Sequence, residues 1–180
     1  MSNCITTYTG EHFDPVNPDS EKICIRDIAH ALSLICRGNG HVSTFFSVGQ
    51  HCIACAEEAA ARGLSGRMVL ACLLHDASEC YMSDVPRPFK RTLTEYRKQE
   101  EILLDMIYRK YLGSPLNIEE KKQIKEIDDA LLWYDLRYLL NETDTGTLPE
   151  IHISLCYEEI PFKKVEEKYL QIFYKYRNQP

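Results

Sequence analysis

Apolar residues recur along this chain every three to four positions, which is the period of an amphipathic α-helix. In chain order, the spacing predicts helices over residues 25–37, 47–62, a segment that begins near Ser65, 94–112, 118–140 and 163–177. Alternating strand patterns are weak everywhere, and only a short extended piece is expected, at 151–155. We therefore expect an all-α bundle of about six helices.

The length of 180 residues suits a single domain. We expect residues 1–180 to form it, with the core at about 20–140 and a C-terminal loop and helix at 141–180. Two prolines in the segment 81–90 prevent it from being helical throughout.

The third predicted helix is apolar nearly all round, yet it carries an adjacent His75 and Asp76. An unpaired carboxylate is expensive to bury, so Asp76 needs a cation or several hydrogen bonds. A shared metal ion would satisfy both side chains. Taken alone, the doublet is equally compatible with a structural His–Asp pair.

Two other helices offer further ligands. His51 lies in the first turn of the second helix, and Asp128 lies on an otherwise apolar face of the fifth. Three helices could therefore present His51, His75, Asp76 and Asp128 to one divalent ion. Two imidazoles and two carboxylates suit Mn, Fe, Co, Ni or Zn, with Mg as a further alternative.

Glu79 follows His75 by four residues, which on a continuous helix puts both on one face. A carboxylate beside a metal-bound water is a natural general base, or an acid for the leaving oxygen. Asp84, in the loop that follows, could share this work. The alternative is that Glu79 is a surface or capping residue.

Charge and cysteine content exclude several classes of protein. The net charge of −6 argues against passive binding to nucleic-acid polymers or acidic membranes, although not against an anionic substrate. No apolar run is long enough to span a membrane, and the N-terminus has no secretion segment. We therefore expect the eight cysteines to be reduced thiols in a cytoplasmic protein. Cys52 and Cys55 are expected to pack in a helix interior rather than to form a zinc or redox pair.

Several segments of the sequence resemble the HD-domain phosphohydrolases. The likeness is strongest to the small branch that holds bacterial deoxyribonucleoside 5′-monophosphatases and phage-type deoxynucleotide hydrolases. The matching segments are 8–10 (YTG), 27–32 (DIAHAL), Arg37 with Gly40 and His41, 46–51 (FSVGQH), 73–79 (LLHDASE), 84–90 (DVPRPFK), and Asp128 with Leu131 and Leu132.

The resemblance implies a helical bundle with ligands from three helices, and it implies roles for particular residues. The metal ligands fall on His51, His75, Asp76 and Asp128, and the catalytic carboxylate on Glu79, with Asp84 close to the attacking water or the substrate. Arg37 matches an arginine that meets the substrate phosphate, and Lys90 is a second candidate. Arg87 and the loop residue His41 are further candidate substrate contacts.

These implications predict a cytoplasmic phosphohydrolase that uses a metal-bound water, most simply as a (deoxy)nucleoside 5′-monophosphatase. A deoxynucleoside triphosphate triphosphohydrolase would share every motif. A nucleotide-binding regulator without turnover is the alternative from another class. The expected partner is a small nucleotide, and a homodimer is expected from the resemblance alone.

Overall fold

The computed structural model describes residues 3–144 and 146–177, and nearly all of its regular structure is helical. The α-helices in this part of the chain are α1 (Ile25–Leu34), α2 (Val48–Ala61), α3 (Gly66–Leu73), α4 (Glu79–Met82), α5 (Arg87–Lys90), α6 (Thr94–Leu112), α7 (Ile118–Leu139) and α8 (Phe162–Tyr176). Strands β1 (Ile5–Thr6) and β2 (His12–Phe13) form an antiparallel pair. The all-α prediction is confirmed. Helices α4 and α5 are single turns, which are too short for a hydrophobic period to predict.

Local sequence signals explain where the long helices begin and end. Ser47 and Gln50 form a capping box at the start of α2, and Asn117 and Glu120 form another at the start of α7. Gly113 ends α6 with a φ of 80°, a left-handed conformation that only glycine adopts without strain. These caps satisfy backbone groups that a helix terminus leaves free.

Helix α2 lies at the centre of the fold and packs against α1, α3, α7 and α8. A Cβ atom on Gly49 would lie 3.1 Å from the carbonyl oxygen of Leu32, so glycine permits this close approach of α2 to α1. On the other side, the buried Tyr169 of α8 donates a hydrogen bond of 2.7 Å to the carbonyl of Leu73. The end of α3, which leads into the His75–Asp76 doublet, is therefore held in the core.

The structure corrects the predicted position of that doublet. Helix α3 ends at Leu73, so His75 and Asp76 lie in a turn rather than in the middle of a helix. The imidazole of His75 donates through Nδ1 to the carbonyl of Cys72 at 2.7 Å, which satisfies a carbonyl near the helix end. Glu79 begins the separate helix α4, so its predicted place on one helix face with His75 is also wrong.

Two smaller expectations are corrected as well. The first helix ends at Leu34 rather than at residue 37, because the chain then extends and Cys36 pairs with Ser47 in an isolated β-bridge. Residues 151–155 form no strand. This segment is instead held against α2, where the backbone N–H and ring Nδ1 of His152 donate to the buried carboxylate of Glu58. Among the helices that the structure describes, none combines the length and apolar composition needed to cross a bilayer.

We predict that Glu58→Gln lowers the free energy of unfolding by about 1–3 kcal/mol at pH 7. The fully buried carboxylate accepts from Arg62 Nε at 2.7 Å and from His152 at 2.8 and 3.0 Å. Glutamine has one oxygen for these donors and adds donors of its own. Urea unfolding measures the change. Glu57→Gln is the matched control, because Glu57 forms an exposed ion pair with Lys168 and should contribute less than about 0.5 kcal/mol.

The stability difference between wild type and Glu58→Gln should depend on pH. Burial opposes ionisation of Glu58, but the hydrogen bonds from His152 and Arg62 outweigh it and hold its pKa below the usual value. The ionised Glu58 side chain therefore contributes its full share to the free energy of unfolding above the pKa of about 4.3 that it has in the unfolded chain. This contribution disappears as the pH falls through the lower pKa that Glu58 has in the folded protein. The difference between wild type and Glu58→Gln should shrink in acid. A difference that is unchanged at pH 3 would contradict this account.

Candidate metal centre

Three parts of the fold bring the four predicted ligands together. Helix α2 supplies His51, the turn after α3 supplies His75 and Asp76, and α7 supplies Asp128. His51 Nε2 lies 3.1 Å from Asp128 Oδ1, and His75 Nε2 lies 3.2 Å from Asp76 Oδ2. A distance of 3.8 Å joins His75 Nε2 to the same Asp128 oxygen. The Nε2 atoms of both imidazoles thus lie next to carboxylate oxygens of Asp76 and Asp128. Ligand atoms within 4.8 Å of one another come from two groups, His51–Cys55–His75 and Cys52–His75–Asp76.

The outer ring nitrogens fix the orientation of both imidazoles. His51 Nδ1 lies 3.0 Å from Asp135 Oδ2, and His75 Nδ1 lies 2.7 Å from the carbonyl of Cys72. Both Nδ1 atoms face oxygen acceptors, so each carries a proton and leaves its Nε2 lone pair for the shared point. This is the usual arrangement of histidine ligands, whose second nitrogen donates to a carboxylate or carbonyl.

The separations between donor atoms match those around a single ion. With ligand bonds of about 2.0–2.2 Å, neighbouring nitrogen and oxygen ligands lie roughly 3 Å apart. His75 Nε2 is buried and has no hydrogen-bond partner among the described residues, and Asp76 Oδ2 lies 3.2 Å away, so this atom can bind a metal ion when the ring is neutral. Two imidazoles and two carboxylates suit a divalent first-row metal. The residues therefore fit the predicted ion.

The charges of these side chains also call for positive charge at the cluster. Burial and the charge of Arg37 would lower the pKa of His51, but the nearby Cys55 and the hydrogen bonds to Asp128 and Asp135 hold that pKa well above the ordinary value. Asp76 likewise outweighs burial and raises the pKa of His75. Two protonated imidazoles and one divalent ion carry the same charge. The cluster thus needs two positive charges, which protons or a metal ion can supply.

A second layer of ion pairs surrounds the cluster. Asp135 Oδ2 accepts from Arg37 Nη2 at 3.2 Å, and Asp135 Oδ1 accepts from the hydroxyl of Tyr157 at 3.1 Å. Arg37 also approaches Asp76 Oδ2, at 3.5 Å. Burial disfavours the guanidinium charge of Arg37, yet the carboxylates of Asp135 and Asp76 raise its pKa. Arg37 is therefore charged and lies beside the cluster.

Glu79 and Asp84 lie on the same side of the centre as Arg37. Burial and the nearby carboxylates of Asp76 and Asp84 hold the pKa of Glu79 well above its usual value. Its Oε1 lies 3.6 Å from Lys90 Nζ, while its Oε2 has no hydrogen-bond partner within the described ranges. Burial also raises the pKa of Asp84. Each of these carboxyl groups therefore keeps its proton to a higher pH than an exposed carboxyl group does.

Two cavities meet at the cluster. One, of about 490 Å³, is lined by Arg37, Glu79, Asp84 and a set of apolar side chains, which are Val42, Val85, Leu132, Leu136, Leu139 and Leu140. The other, of about 580 Å³, is lined by charged side chains of both signs, which include Lys90, Arg97, Lys98, Lys121 and Lys125 together with Asp76, Glu100, Glu101, Asp105 and Asp128. Asp76, Lys90 and Asp128 line both cavities. The volumes are those of small-molecule sites.

The remaining predicted contacts differ in their placement. Arg87 binds Asp128 and Asp129 at the edge of the cluster, and Lys90 is held by Glu100 at 2.6 Å. His41 is exposed and lines none of the three cavities described, so the structure does not bring it to the centre. Asp129, the neighbour of Asp128, points away from both histidines and pairs with Lys125 and Arg87.

The sequence analysis assigned no role at the site to Asp135 or to the cysteines of α2, although they contact the cluster. Asp135 follows Asp128 by seven residues, which is two helical turns on the same face. The thiol of Cys55 lies 3.5 Å from His51 Nε2, and Cys55 follows His51 by four residues. Cys52 also approaches His75 and Asp76. Both cysteines are buried as expected, but helical spacing from His51 was the available signal that one of them faces the ligands.

No protein-family model matches the chain. It is similar to two curated proteins that are named as uncharacterized. YfdR of Escherichia coli is 41% identical over 113 residues, which are 62% of this chain and 59% of YfdR. A protein of Rhodobacter capsulatus is 32% identical over 127 residues, which are 67% of this chain and 64% of that protein. The chain thus spans less than two thirds of the length of either relative.

We predict that Asp135→Asn weakens metal binding by about 10- to 100-fold, because His51 loses the carboxylate that orients its ring. Competition with a chromophoric chelator measures the affinity. Tyr157→Phe is the control, since it removes one hydrogen bond from Asp135 and leaves the contact with His51. Equal metal affinity in the wild type and Asp135→Asn would show that Asp135 does not orient the ligand.

Proposed function

We propose that this protein is a cytoplasmic, metal-dependent phosphohydrolase of the HD type that acts on nucleotides, as a (deoxy)nucleoside 5′-monophosphatase. The observation that carries the proposal is the convergence of His51, His75, Asp76 and Asp128 at a cavity that also receives Arg37 and Glu79. A ligand set, a charged phosphate contact and a buried carboxyl group are the parts that phosphoester hydrolysis requires.

The four converging side chains would hold one divalent ion. When bound, such an ion lowers the pKa of a water molecule and polarises a phosphoryl oxygen. Asp135 and the carbonyl of Cys72 keep both imidazoles in the tautomer that ligation needs.

Arg37 and Lys90 would bind the phosphate. The guanidinium of Arg37 lies beside Asp76 and Asp135, so its charge is fixed in place before substrate enters. A preorganised cation of this kind offsets the negative charge that develops on the phosphoryl oxygens. Lys90 reaches toward Glu79 from the opposite wall of the cavity and supplies a second positive charge.

Glu79 would manage the proton. Burial raises the pKa of this carboxyl group, and Glu79 would exchange a proton either with the attacking water or with the leaving oxygen. Asp84 lines the same cavity and would orient the water or the substrate. The apolar wall formed by Leu132, Leu136 and Leu139 offers a surface for the base and sugar.

The second candidate is a deoxynucleoside triphosphate triphosphohydrolase, which the basic side of the site favours. Arg91, Arg97 and Lys125 line a further cavity of about 470 Å³ that also touches Lys90 and Asp128. A polyphosphate that extends from the metal centre would meet these cations. A monophosphate would leave them unused.

We predict that Asp76→Ala loses metal and activity together, whereas Glu79→Gln keeps the metal and loses on the order of 100-fold or more in turnover. Metal content by mass spectrometry and phosphate release measure the two properties separately. Glu126→Gln replaces an exposed carboxylate on α7 that lines none of the three cavities described, and this variant should keep both. Activity in a metal-free Asp76→Ala protein would overturn the proposed centre.

A release assay tests the substrate class. Metal-stripped protein is reloaded with Mn, Co, Zn or Mg and given nucleoside mono- and triphosphates, with orthophosphate and tripolyphosphate followed separately. We expect metal-dependent orthophosphate from monophosphates. Tripolyphosphate from triphosphates would replace this conclusion with the second candidate. Tight nucleotide binding without any product would contradict both and indicate a binding protein.

A further inference from the structure

The thiol of Cys55 lies directly against the candidate metal centre. Its Sγ is 3.5 Å from His51 Nε2, and the side chain is almost completely buried. One ligand atom each from His51, Cys55 and His75 lie within 4.8 Å of one another. The third member, His75 Nε2, is a buried atom without a hydrogen-bond partner among the residues described, and its side chain is only 7% exposed.

We propose that Cys55 is itself a ligand of the metal ion, so that a thiolate completes the set of imidazoles and carboxylates. The proposal rests on the metal centre of the proposed function, but not on the reaction or the substrate. On binding, a metal–sulfur bond forms, the S–H bond breaks, and the proton passes to solvent. No oxidant or reductant takes part.

The distance between the two side chains supports coordination. Bonds of about 2.0 Å to nitrogen and 2.3 Å to sulfur place these two atoms roughly 3.0–3.5 Å apart for angles between about 90° and 109°. The observed 3.5 Å between Cys55 Sγ and His51 Nε2 lies at the upper end of this range. Residues four apart on α2 lie one above the other, so the helix itself holds the pair in position.

Cys52 is a weaker candidate and provides the comparison. It is buried on the same helix, and its sulfur lies near His75 and Asp76. However, the group that contains Cys52 does not include His51, whereas the group that contains Cys55 includes both histidines. A point shared by both imidazoles is therefore closer to Cys55.

A thiolate would change which metal the centre prefers. Sulfur ligands favour Zn and other borderline or soft ions, while sites built from carboxylates and water suit Mg and Mn. With Cys55 as a ligand, the preference of the centre for Zn and Co over Mn should be larger than it is in Cys55→Ser.

The experiment uses cobalt as a spectroscopic probe of the full-length protein. Metal-stripped wild type, Cys55→Ser and Cys52→Ser are each titrated with Co(II), and absorbance is recorded from the near ultraviolet to the visible. We expect a sulfur-to-cobalt charge-transfer band in the wild type and in Cys52→Ser. Cys55→Ser should lose this band and keep the weaker visible bands of cobalt bound to nitrogen and oxygen. Its Zn affinity should fall by 10-fold or more, with a smaller change for Mn.

Three results would overturn the inference, and they are distinguishable. Bound cobalt without a charge-transfer band in the wild type would leave the metal centre standing and show that Cys55 stays a thiol. A band that is lost in Cys52→Ser and kept in Cys55→Ser would assign the sulfur to the other cysteine. Failure of the wild type to bind cobalt, zinc or manganese would overturn the centre itself, and with it the proposed function. Circular dichroism establishes that each variant is folded before titration.

Discussion

The carboxylates of Asp76 and Asp128 lie beside the imidazoles of His51 and His75, largely removed from water, and this arrangement needs positive charge. Buried carboxylates without compensation would cost several kcal/mol each. Two imidazolium protons or one divalent ion can provide the charge, and only the ion leaves both imidazoles free to ligate. Binding of the proposed ion would therefore link folding to metal binding, because the charges that would destabilise the bundle would become its ligand set.

Around this cluster, one chain of contacts joins distant parts of the fold. Asp135 of α7 holds His51 of α2, Arg37 from the α1–α2 connection, and Tyr157 from the segment before α8. The same C-terminal segment is held a second time, where His152 meets Glu58. Through Tyr157 and His152, the segment before α8 is thus held against α2 and α7, close to His51 and Cys55. These contacts explain why a segment without regular structure lies so close to the centre.

The two cavities at the site differ in the side chains that line them. Apolar side chains of α7 and the arginine of the α1–α2 connection line one cavity, and charged side chains of both signs, among them Arg97, Lys125 and Glu100, line the other. Asp76 and Asp128 line both cavities. In the proposed function, a nucleotide would lie across the boundary between them with its phosphate at the ion.

The sequence by itself determined the long helices and most of the polar residues of the centre, because both signals are local. Helical periodicity predicts α2, α6, α7 and α8 to within one or two residues, and a carboxylate or histidine in an apolar run stands out by its cost of burial. Only the tertiary structure decided that α3 ends before His75, that Asp135 and Tyr157 support His51, and that Cys55 faces the ligands while His41 does not. These facts depend on how helices distant in sequence are rotated and packed against one another, which no local pattern contains.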